Sequence, residues 1–337
     1  MLLDTLRGRS THAEAWGEVG INNSRFSLLD RRPPHGVGSG RLTRSFAGQV
    51  TAEQEAKLVQ LMPEDRRRRW EALDDESRMF LLVPLALAYD VPGVEETTGL
   101  SRVMPPQDVH AMTHDLEAAG GSLYYGDLVV ESLAAVGAPF EAGTRVLDFG
   151  CSSGRVSRVL KAYEPAAECD GCDPNGPAVE WAAENLPGIR FFESPLAPPL
   201  DVVEGTYDVA FAISIWSHFD EGPALAWLEE MRRILRPGGY LIVTTQGFSA
   251  VRGFVANDPS LQTRDFAIDA LGRMYVSGFH FLEVFEDDDW GVPAEGWGMA
   301  VMSPEWLLER TTPGWRTSLF RPGAVEWSQD LYVLEKV

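Results

Sequence analysis

The order of apolar and polar positions changes near residue 120 of the 337-residue chain. After that point short apolar runs alternate with amphipathic segments, and Gly, Pro and Asp separate them. Alternation of this kind predicts mostly parallel strands with helices on both faces of one sheet. The predicted strands cover residues 145–149, 168–172, 189–193, 207–214, 240–245, 315–320 and 329–336. We therefore expect an α/β protein with a doubly wound, mostly parallel, seven-stranded sheet.

The segments around these strands contain helix and turn signals. Helices are predicted over residues 126–136, 155–163, 177–186 and 223–235. Ser303 is a preferred N-cap residue and Pro304 suits a first turn, so a short helix is predicted there. Pro and Gly at 236–239 and 322–323 predict turns before the fifth and the last strand. Most of the stretch between 246 and 302 is interpreted as irregular.

The first 120 residues follow a different pattern. The segment RRPPHGVGSGR, residues 31–41, predicts a flexible arm, because no strand precedes its glycines as a phosphate loop would require. Thr51 and Gln54 form a capping-box pattern at the start of a helix over 51–61. A second helix is predicted from Pro63 to about residue 89. Four consecutive arginines near its start, followed by acidic residues, indicate a solvated helix face rather than an anion site.

A further helix is predicted over residues 107–119. We interpret residues 1–120 as an N-terminal arm with a helical appendage, which would either cap the active site or mediate formation of a homodimer. Residues 121–337 would then form the main domain.

Charge and cysteine content narrow the function classes. The net charge is −21; residues 1–120 hold 14 Lys and Arg against 18 Asp and Glu, and the remainder holds 15 against 32. An acidic surface repels phosphate backbones, so nucleic acid is not expected as a partner. Among the three cysteines, Cys169 and Cys172 form a C-x-x-C, but no second ligand pair accompanies it, so no zinc site is expected.

Targeting signals are not apparent. The longest apolar run, residues 80–89, contains Pro84 and is too short to span a bilayer, and the first residues do not resemble a signal peptide. We therefore expect a cytoplasmic protein that does not act on membranes. Low cysteine content fits a reducing compartment. The excess of Arg over Lys indicates a bacterial, GC-rich genome.

The chemistry is expected around the first predicted strand. That strand ends in Asp148 and Phe149, and Gly150 and Gly154 follow before the next helix. A strand, a glycine-bearing turn and a helix are typical of a nucleotide site, because backbone N–H groups can approach a ligand closely. The carboxylate of Asp148 is a poor neighbour for a pyrophosphate but suits an ammonium or sulfonium group. The glycine spacing also differs from the dinucleotide pattern G-x-G-x-x-G.

The stretch DFGCSSGR, residues 148–155, resembles motif I of the class I S-adenosylmethionine-dependent methyltransferases. Asp148, Gly150 and Gly154 match the motif, and Ser152 stands where the family usually has its middle glycine. The stretch YDVAFAISIWSHF, residues 207–219, and the turn at 236–239 resemble the family's fourth and fifth strands. The resemblance covers about residues 122–337 and implies a Rossmann-like methyltransferase fold over 121–337.

The resemblance implies S-adenosylmethionine as the cofactor. It places a ribose-binding acid at Asp173, an adenine contact at Ser194 and a loop over the methionine end at Tyr124 or Tyr125. The tyrosine at that point would either cover the cofactor or pack at the edge of the core. The cofactor-binding residues that it predicts are Tyr124, Asp148, Gly150, Cys151, Gly154, Asp173, Pro174, Ser194, Ser214 and Ile215. The implied reaction is methyl transfer to an oxygen or nitrogen of a small molecule or sugar.

Candidates for the acceptor side are fewer. His218 follows the fourth strand, where it would either take a proton from the acceptor or order the loop. Trp216, Trp290 and Trp297 are candidate substrate contacts, because indole rings stack on sugars and aromatic groups. The acids at 287–289 are interpreted as a solvated loop, so no metal is expected.

Two other functions remain open from the sequence. One is an S-adenosylmethionine-binding scaffold or regulatory protein without transfer activity. The other is a nicotinamide-dependent oxidoreductase, against which the glycine spacing argues.

Overall fold

The computed structural model describes residues 40–111, 114, 119–287, 293, 295–326 and 328–337. The chain contains two compact units, of which one ends at Glu193 and the other runs from Ser194 to Val337. None of the helices in the described ranges is both long and apolar enough to cross a membrane.

Among its described residues, the first unit contains eight helices and three strands. In chain order these elements are α1 (Arg41–Ala47), α2 (Ala52–Leu61), α3 (Glu64–Glu71), α4 (Asp75–Ala88), α5 (Val94–Thr98), α6 (Leu123–Ala135), β1 (Arg145–Phe149), α7 (Ser157–Tyr163), β2 (Glu168–Asp173), α8 (Gly176–Asn185) and β3 (Ile189–Glu193). β1 pairs with β2 and β2 with β3, both in parallel.

The second unit continues the alternation and closes it with antiparallel strands. Its elements are β4 (Tyr207–Ala212), α9 (Glu221–Ile234), β5 (Leu235–Gln246), α10 (Phe248–Asn257), α11 (Leu261–Val276), β6 (Phe279–Leu282), β7 (Met299–Met302), α12 (Pro304–Thr311), β8 (Trp315–Val325) and β9 (Gln329–Lys336). β4 and β5 are parallel, whereas β9 pairs antiparallel with both β5 and β8.

The strand order confirms the predicted fold class. Seven strands form one sheet in the order β3-β2-β1-β4-β5-β9-β8, and β6 with β7 forms a separate two-stranded sheet. The buried strands are rich in apolar residues; β4, for example, buries its last four residues, from Val209 to Ala212. A helical N-terminal region is also present, as predicted.

The three predictions for the N-terminal helices had different outcomes. The capping box is confirmed, because the Thr51 hydroxyl accepts from the Gln54 N–H while the Gln54 side chain accepts from the Thr51 N–H. The single helix predicted from Pro63 to residue 89 is wrong. It is interrupted, because the Asp74 carboxylate accepts the Ser77 N–H at 2.7 Å and starts α4 as a new N-cap. The helix predicted over 107–119 lies partly outside the described residues, and no helix covers 107–111.

Three predictions in the second half also need correction. The stretch read as irregular contains α10, α11, β6 and β7. In α11 the apolar residues Ile268 and Tyr275 are exposed, whereas small Ala267 and Ala270 are buried, so the expected periodicity is obscured. The glycines at 238–239 lie in a bulge of β5, and β8 continues through Gly323 to Val325 rather than turning there.

A buried carboxylate joins α1 to α6 within the first unit. Asp127 is 2% exposed and accepts the N–H groups of Gly40 (3.2 Å), Leu42 (2.9 Å) and Thr43 (3.3 Å). A Cβ on Gly40 would lie 2.2 Å from Asp127 Oδ1, so the close approach needs glycine. Since α1 begins without a side-chain cap of its own, Asp127 satisfies its orphan donors from another helix. The domain boundary at residue 120 stays a prediction, and this contact crosses it.

We expect Asp127→Ala to lower the free energy of unfolding by about 2 kcal/mol, because three backbone donors lose their buried acceptor. Urea unfolding followed by circular dichroism measures the change. Glu131→Ala is the matched control, since Glu131 accepts from the Arg41 N–H nearer the surface, and it should cost less than about 1 kcal/mol. Equal losses in the two variants would contradict a dominant role for the buried cap.

Candidate functional site

The turn after β1 is held in an unusual backbone conformation. Gly150, Ser152 and Gly154 all have positive φ, at 81°, 47° and 75°. The N–H groups of Gly150 and Cys151 both donate to the Cys172 carbonyl, at 2.8 and 3.0 Å. The turn is therefore fixed to the end of β2, and Ser152 adopts a left-handed conformation that usually favours glycine.

Asp173, at the end of β2, completes this arrangement. Its Oδ2 accepts the Ser152 N–H at 2.8 Å, and its Oδ1 accepts the Asn175 N–H at 2.9 Å. Burial raises the pKa of Asp173, and the two backbone donors oppose that rise. Asn175 caps α8 by accepting the Ala178 N–H at 3.1 Å, so the carboxylate lies beside a fixed helix start.

Asp148 lies within β1 and is almost fully enclosed. It is 5% exposed, and its Oδ2 accepts a hydrogen bond from the Ser157 hydroxyl at 2.5 Å. Burial raises the pKa of Asp148 to about 7, although Ser157 and Arg155 oppose the rise and Asp173 adds to it. A cation bound beside Asp148 would stabilise the ionised carboxylate.

The other predicted residues of the first unit surround the same turn or precede it. Cys151 is buried, and burial raises the pKa of its thiol far above the usual range, so it is a neutral packing group. Pro174 is half-buried. Tyr124, in the first turn of α6, packs edge-on against Tyr125 with centroids 5.0 Å apart. The guanidinium of Arg155 lies 4.7 Å above the Tyr125 ring.

In the second unit, a closed hydrogen-bond network lies at the end of β4. Ser214 has a φ of 61°, and its N–H donates to Thr244 Oγ1 at 2.7 Å. The Thr244 hydroxyl donates to Gln329 Oε1 at 2.6 Å, and Gln329 Nε2 donates to Ser214 Oγ at 2.9 Å. Three strands therefore fix the backbone at Ser214, because each hydroxyl and the amide have a partner within the ring.

His218 is held on both backbone and side chain by one residue. Its Nδ1 lies 2.8 Å from the Gly298 carbonyl, and its own carbonyl accepts the Gly298 N–H at 2.8 Å. A carbonyl only accepts, so Nδ1 carries the proton and the lone pair of the neutral ring is on Nε2. Burial lowers the pKa of His218 to about 4. The Trp297 ring lies 4.9 Å from the imidazole, centroid to centroid.

The remaining predicted residues of the second unit are Ser194, Ile215, Trp216 and Trp290. Trp216 is 0% exposed, and its indole N–H donates to the Ala224 carbonyl at 3.2 Å, which favours a structural role over substrate contact. Ile215 is half-buried, and its carbonyl accepts the His218 N–H. Ser194 is buried just after β3. Trp290 lies outside the described residues.

Some residues of these arrangements carried no sequence signal. Thr244 and Gln329 lie 85 positions apart and belong to no motif. His110 contacts the Ser152 hydroxyl at 3.1 Å from a stretch without periodicity. Only pairing of the strands, or packing of the segment before α6, brings such residues together. Among the described residues, no group of three or more His, Cys, Asp or Glu side chains could hold a metal ion.

Comparison with known proteins agrees with the motif. Residues 146–239 match the model of a family described as a methyltransferase domain. The matched stretch begins in β1 and ends in β5, so it contains both segments on which the resemblance was based. The resemblance of this stretch to methyltransferases is thereby confirmed.

Individual relatives match only part of the chain. A malonyl-[acyl-carrier protein] O-methyltransferase from Hahella chejuensis is 29% identical over 146 residues, which are 43% of this chain and 50% of the relative. A trans-aconitate 2-methyltransferase from Methylobacterium nodulans is 31% identical over 110 residues, or 31% and 39% of the two chains. This chain therefore spans half or less of the curated relatives it matches.

A solved structure of a SAM-dependent methyltransferase from Aquifex aeolicus is 17% identical to this chain. The alignment covers 63% of this chain and 89% of that one, with a TM-score of 0.41.

The raised pKa of Asp148 predicts a pH-dependent stability. The folded state binds the proton of Asp148 more tightly than the unfolded state, so this residue's contribution to stability is lost as pH rises from about 4 to about 7. We expect Asp148→Asn to become more stable relative to the wild type as pH increases from 5 to 8. Asparagine can still accept from Ser157, which preserves the local contact.

Urea unfolding at pH 5, 6, 7 and 8 measures this difference. Asp75→Asn is the control, because the Asp75 side chain is fully exposed and its stability curve should stay parallel to that of the wild type. Parallel curves for Asp148→Asn as well would contradict the prediction.

Proposed function

We propose that this chain transfers the methyl group of S-adenosylmethionine to an oxygen or nitrogen of a small molecule or sugar. The observation that carries the proposal is the pair of acids at the glycine turn, Asp148 and Asp173, within the stretch that matches a methyltransferase domain. Each carboxylate is oriented by hydrogen bonds from its own chain, so neither needs a ligand to define its position.

The chemistry of these groups fits the proposed cosubstrate. S-adenosylmethionine carries a ribose diol, a sulfonium and an ammonium, and it lacks phosphate. Asp173 can accept hydrogen bonds from ribose hydroxyls while its backbone donors hold it in place. Burial raises the pKa of Asp148 to about 7, and a nearby cation would stabilise the ionised form of this carboxylate. The Asp148 carboxylate beside the turn would repel the pyrophosphate of a nicotinamide dinucleotide, which disfavours an oxidoreductase.

Other cofactor contacts are assigned by the resemblance. We propose that Ser194 contacts adenine, that Tyr124 covers the methionine end, and that Gly150 and Gly154 let backbone approach the ligand. Ser214 and Ile215 would border the transferring methyl. The assignment of Ser214 is supported by its position after the end of β4, where hydrogen bonds with Thr244 and Gln329 fix it.

When bound, S-adenosylmethionine supplies an electrophilic methyl group on sulfur. The contribution of the protein is to align the acceptor with that methyl and to exclude water, because positive charge disappears during the transfer. Fixed groups such as the Ser214 network need no rearrangement for this task. The acceptor must also lose a proton, so a group that can accept this proton is needed.

We propose His218 as the group that accepts this proton. Its Nδ1–H donation to the Gly298 carbonyl directs the lone pair of the neutral ring to Nε2. The Trp297 indole ring beside it offers an apolar face for a sugar or aromatic acceptor. One relative is named as an O-methyltransferase, which supports oxygen as the acceptor atom.

Isothermal titration calorimetry with S-adenosylmethionine and S-adenosylhomocysteine tests the proposal. We expect binding by the wild type and at least about tenfold weaker binding by Asp173→Ala, since hydrogen bonds to a charged group contribute roughly 1.5–3 kcal/mol. Asp170→Asn is the matched control on the same strand, because Asp170 pairs with Arg190 near the surface and should leave affinity unchanged.

Failure of the wild type to bind either compound would overturn the proposal. Binding of a nicotinamide dinucleotide instead would favour the oxidoreductase. Binding without methyl transfer to a panel of sugars, phenols and carboxylic acids would favour a scaffold without transfer activity.

The pH dependence of kcat tests His218. With its pKa lowered to about 4, the ring is neutral throughout the range from pH 5.5 to 8, so kcat should show no acidic limb near pH 6.5. His218→Ala should lower kcat by about 100-fold with little change in the affinity for S-adenosylhomocysteine. An inflection near pH 6.5 that disappears in His218→Ala, or an unchanged kcat in that variant, would contradict the assignment.

A further inference from the structure

The segment before α6 is anchored to the glycine turn and its helix. We call residues 101–110 the strap. At its start, Nη1 of Arg158, on α7, donates to the carbonyls of Ser101 (3.2 Å) and Val103 (2.8 Å). Arg158 is 6% exposed, so these hydrogen bonds are shielded from water. Val103 also packs against the apolar cluster that contains Cys151.

The far end of the strap reaches Ser152 itself. Nδ1 of His110 lies 3.1 Å from the Ser152 hydroxyl oxygen, and that hydroxyl lies 3.4 Å from the His110 carbonyl. Ser152 is 7% exposed. The residue that replaces the usual middle glycine thus uses the added hydroxyl for a contact that glycine could not make.

The contact between His110 and Ser152 also bears on Asp173, because Ser152 contacts both residues. A non-glycine residue at a φ of 47° is strained, so other interactions must hold Ser152 there. From this conformation its N–H donates to Asp173 Oδ2. His110 therefore holds the side chain of Ser152, and Asp173 holds its backbone N–H. A shift of Ser152 would move the N–H that orients the Asp173 carboxylate.

We infer that His110 is a positioning residue for cofactor binding, which acts through Ser152 on the Asp173 carboxylate. The inference rests on the proposed function, because Asp173 is the proposed ribose-binding acid. It gives the segment before residue 120 a role in the site that the motif alone did not assign. It also explains how this chain keeps the turn in place without the middle glycine.

A double-mutant cycle tests the coupling. The dissociation constant of S-adenosylhomocysteine is measured by calorimetry for His110→Ala, Ser152→Ala and the double variant. We expect each single variant to bind about fivefold more weakly, as loss of one buried hydrogen bond implies, and the double variant to bind no more weakly than either. Gln107→Ala, at an exposed strap position, is the control and should bind like the wild type.

Rescue and amide exchange separate positioning from folding. His110→Asn places an amide near the position of Nδ1 and should bind within about twofold of the wild type. Hydrogen exchange of the Ser152 N–H should accelerate in His110→Ala and Ser152→Ala and stay slow in Gln107→Ala, because that N–H is protected by Asp173.

The outcomes distinguish this inference from the proposed function. Wild-type protein that binds neither cofactor form overturns both. If the wild type binds, any one of three results overturns the role of His110 alone. These are an unchanged affinity in His110→Ala, additive losses in the double variant, and no rescue by His110→Asn.

Discussion

The hydrogen bond from the Ser152 N–H to the Asp173 carboxylate is the constraint on which the first half of the site depends. It joins the turn after β1 to the end of β2 and fixes an acid that burial alone would favour in its neutral form. The neighbouring turn donors to the Cys172 carbonyl reinforce the same junction. A ligand therefore meets a carboxylate whose orientation the chain has already set, which reduces the ordering cost of binding.

The two units hold their candidate site residues in place with different kinds of chemical group. In the first, backbone N–H groups converge on carboxylates, so charge is concentrated at the strand ends. In the second, a ring of neutral side chains fixes Ser214, and a single carbonyl sets the tautomer of His218. The candidate residues of the first unit are therefore charged, whereas those of the second unit are neutral and held by neutral partners.

The sequence predicted all seven strands of the main sheet, because glycine, proline or acidic residues separate them from the helices, but it missed β6 and β7. The bounds of β1, β3 and β9 agree with the structure to the residue. It missed α10 and α11; in α11 the exposed Ile268 and Tyr275 obscure the buried face of Ala267, Ala270 and Met274. Local motifs indicated the acids of the glycine turn. The contacts of His110 and of Gln329 depend on distant residues, which single-sequence patterns do not encode.

The cap that Asp127 provides for α1 has a consequence for the order of folding. A helix of seven residues is too short to be stable alone, and α1 has no cap within its own sequence. Its acceptor comes from a residue 85 positions later than Leu42. The cap on α1 can therefore form only after the chain has closed that long loop. During synthesis, Leu42 leaves the ribosome 85 residues before Asp127 does, so α1 must wait for its buried cap.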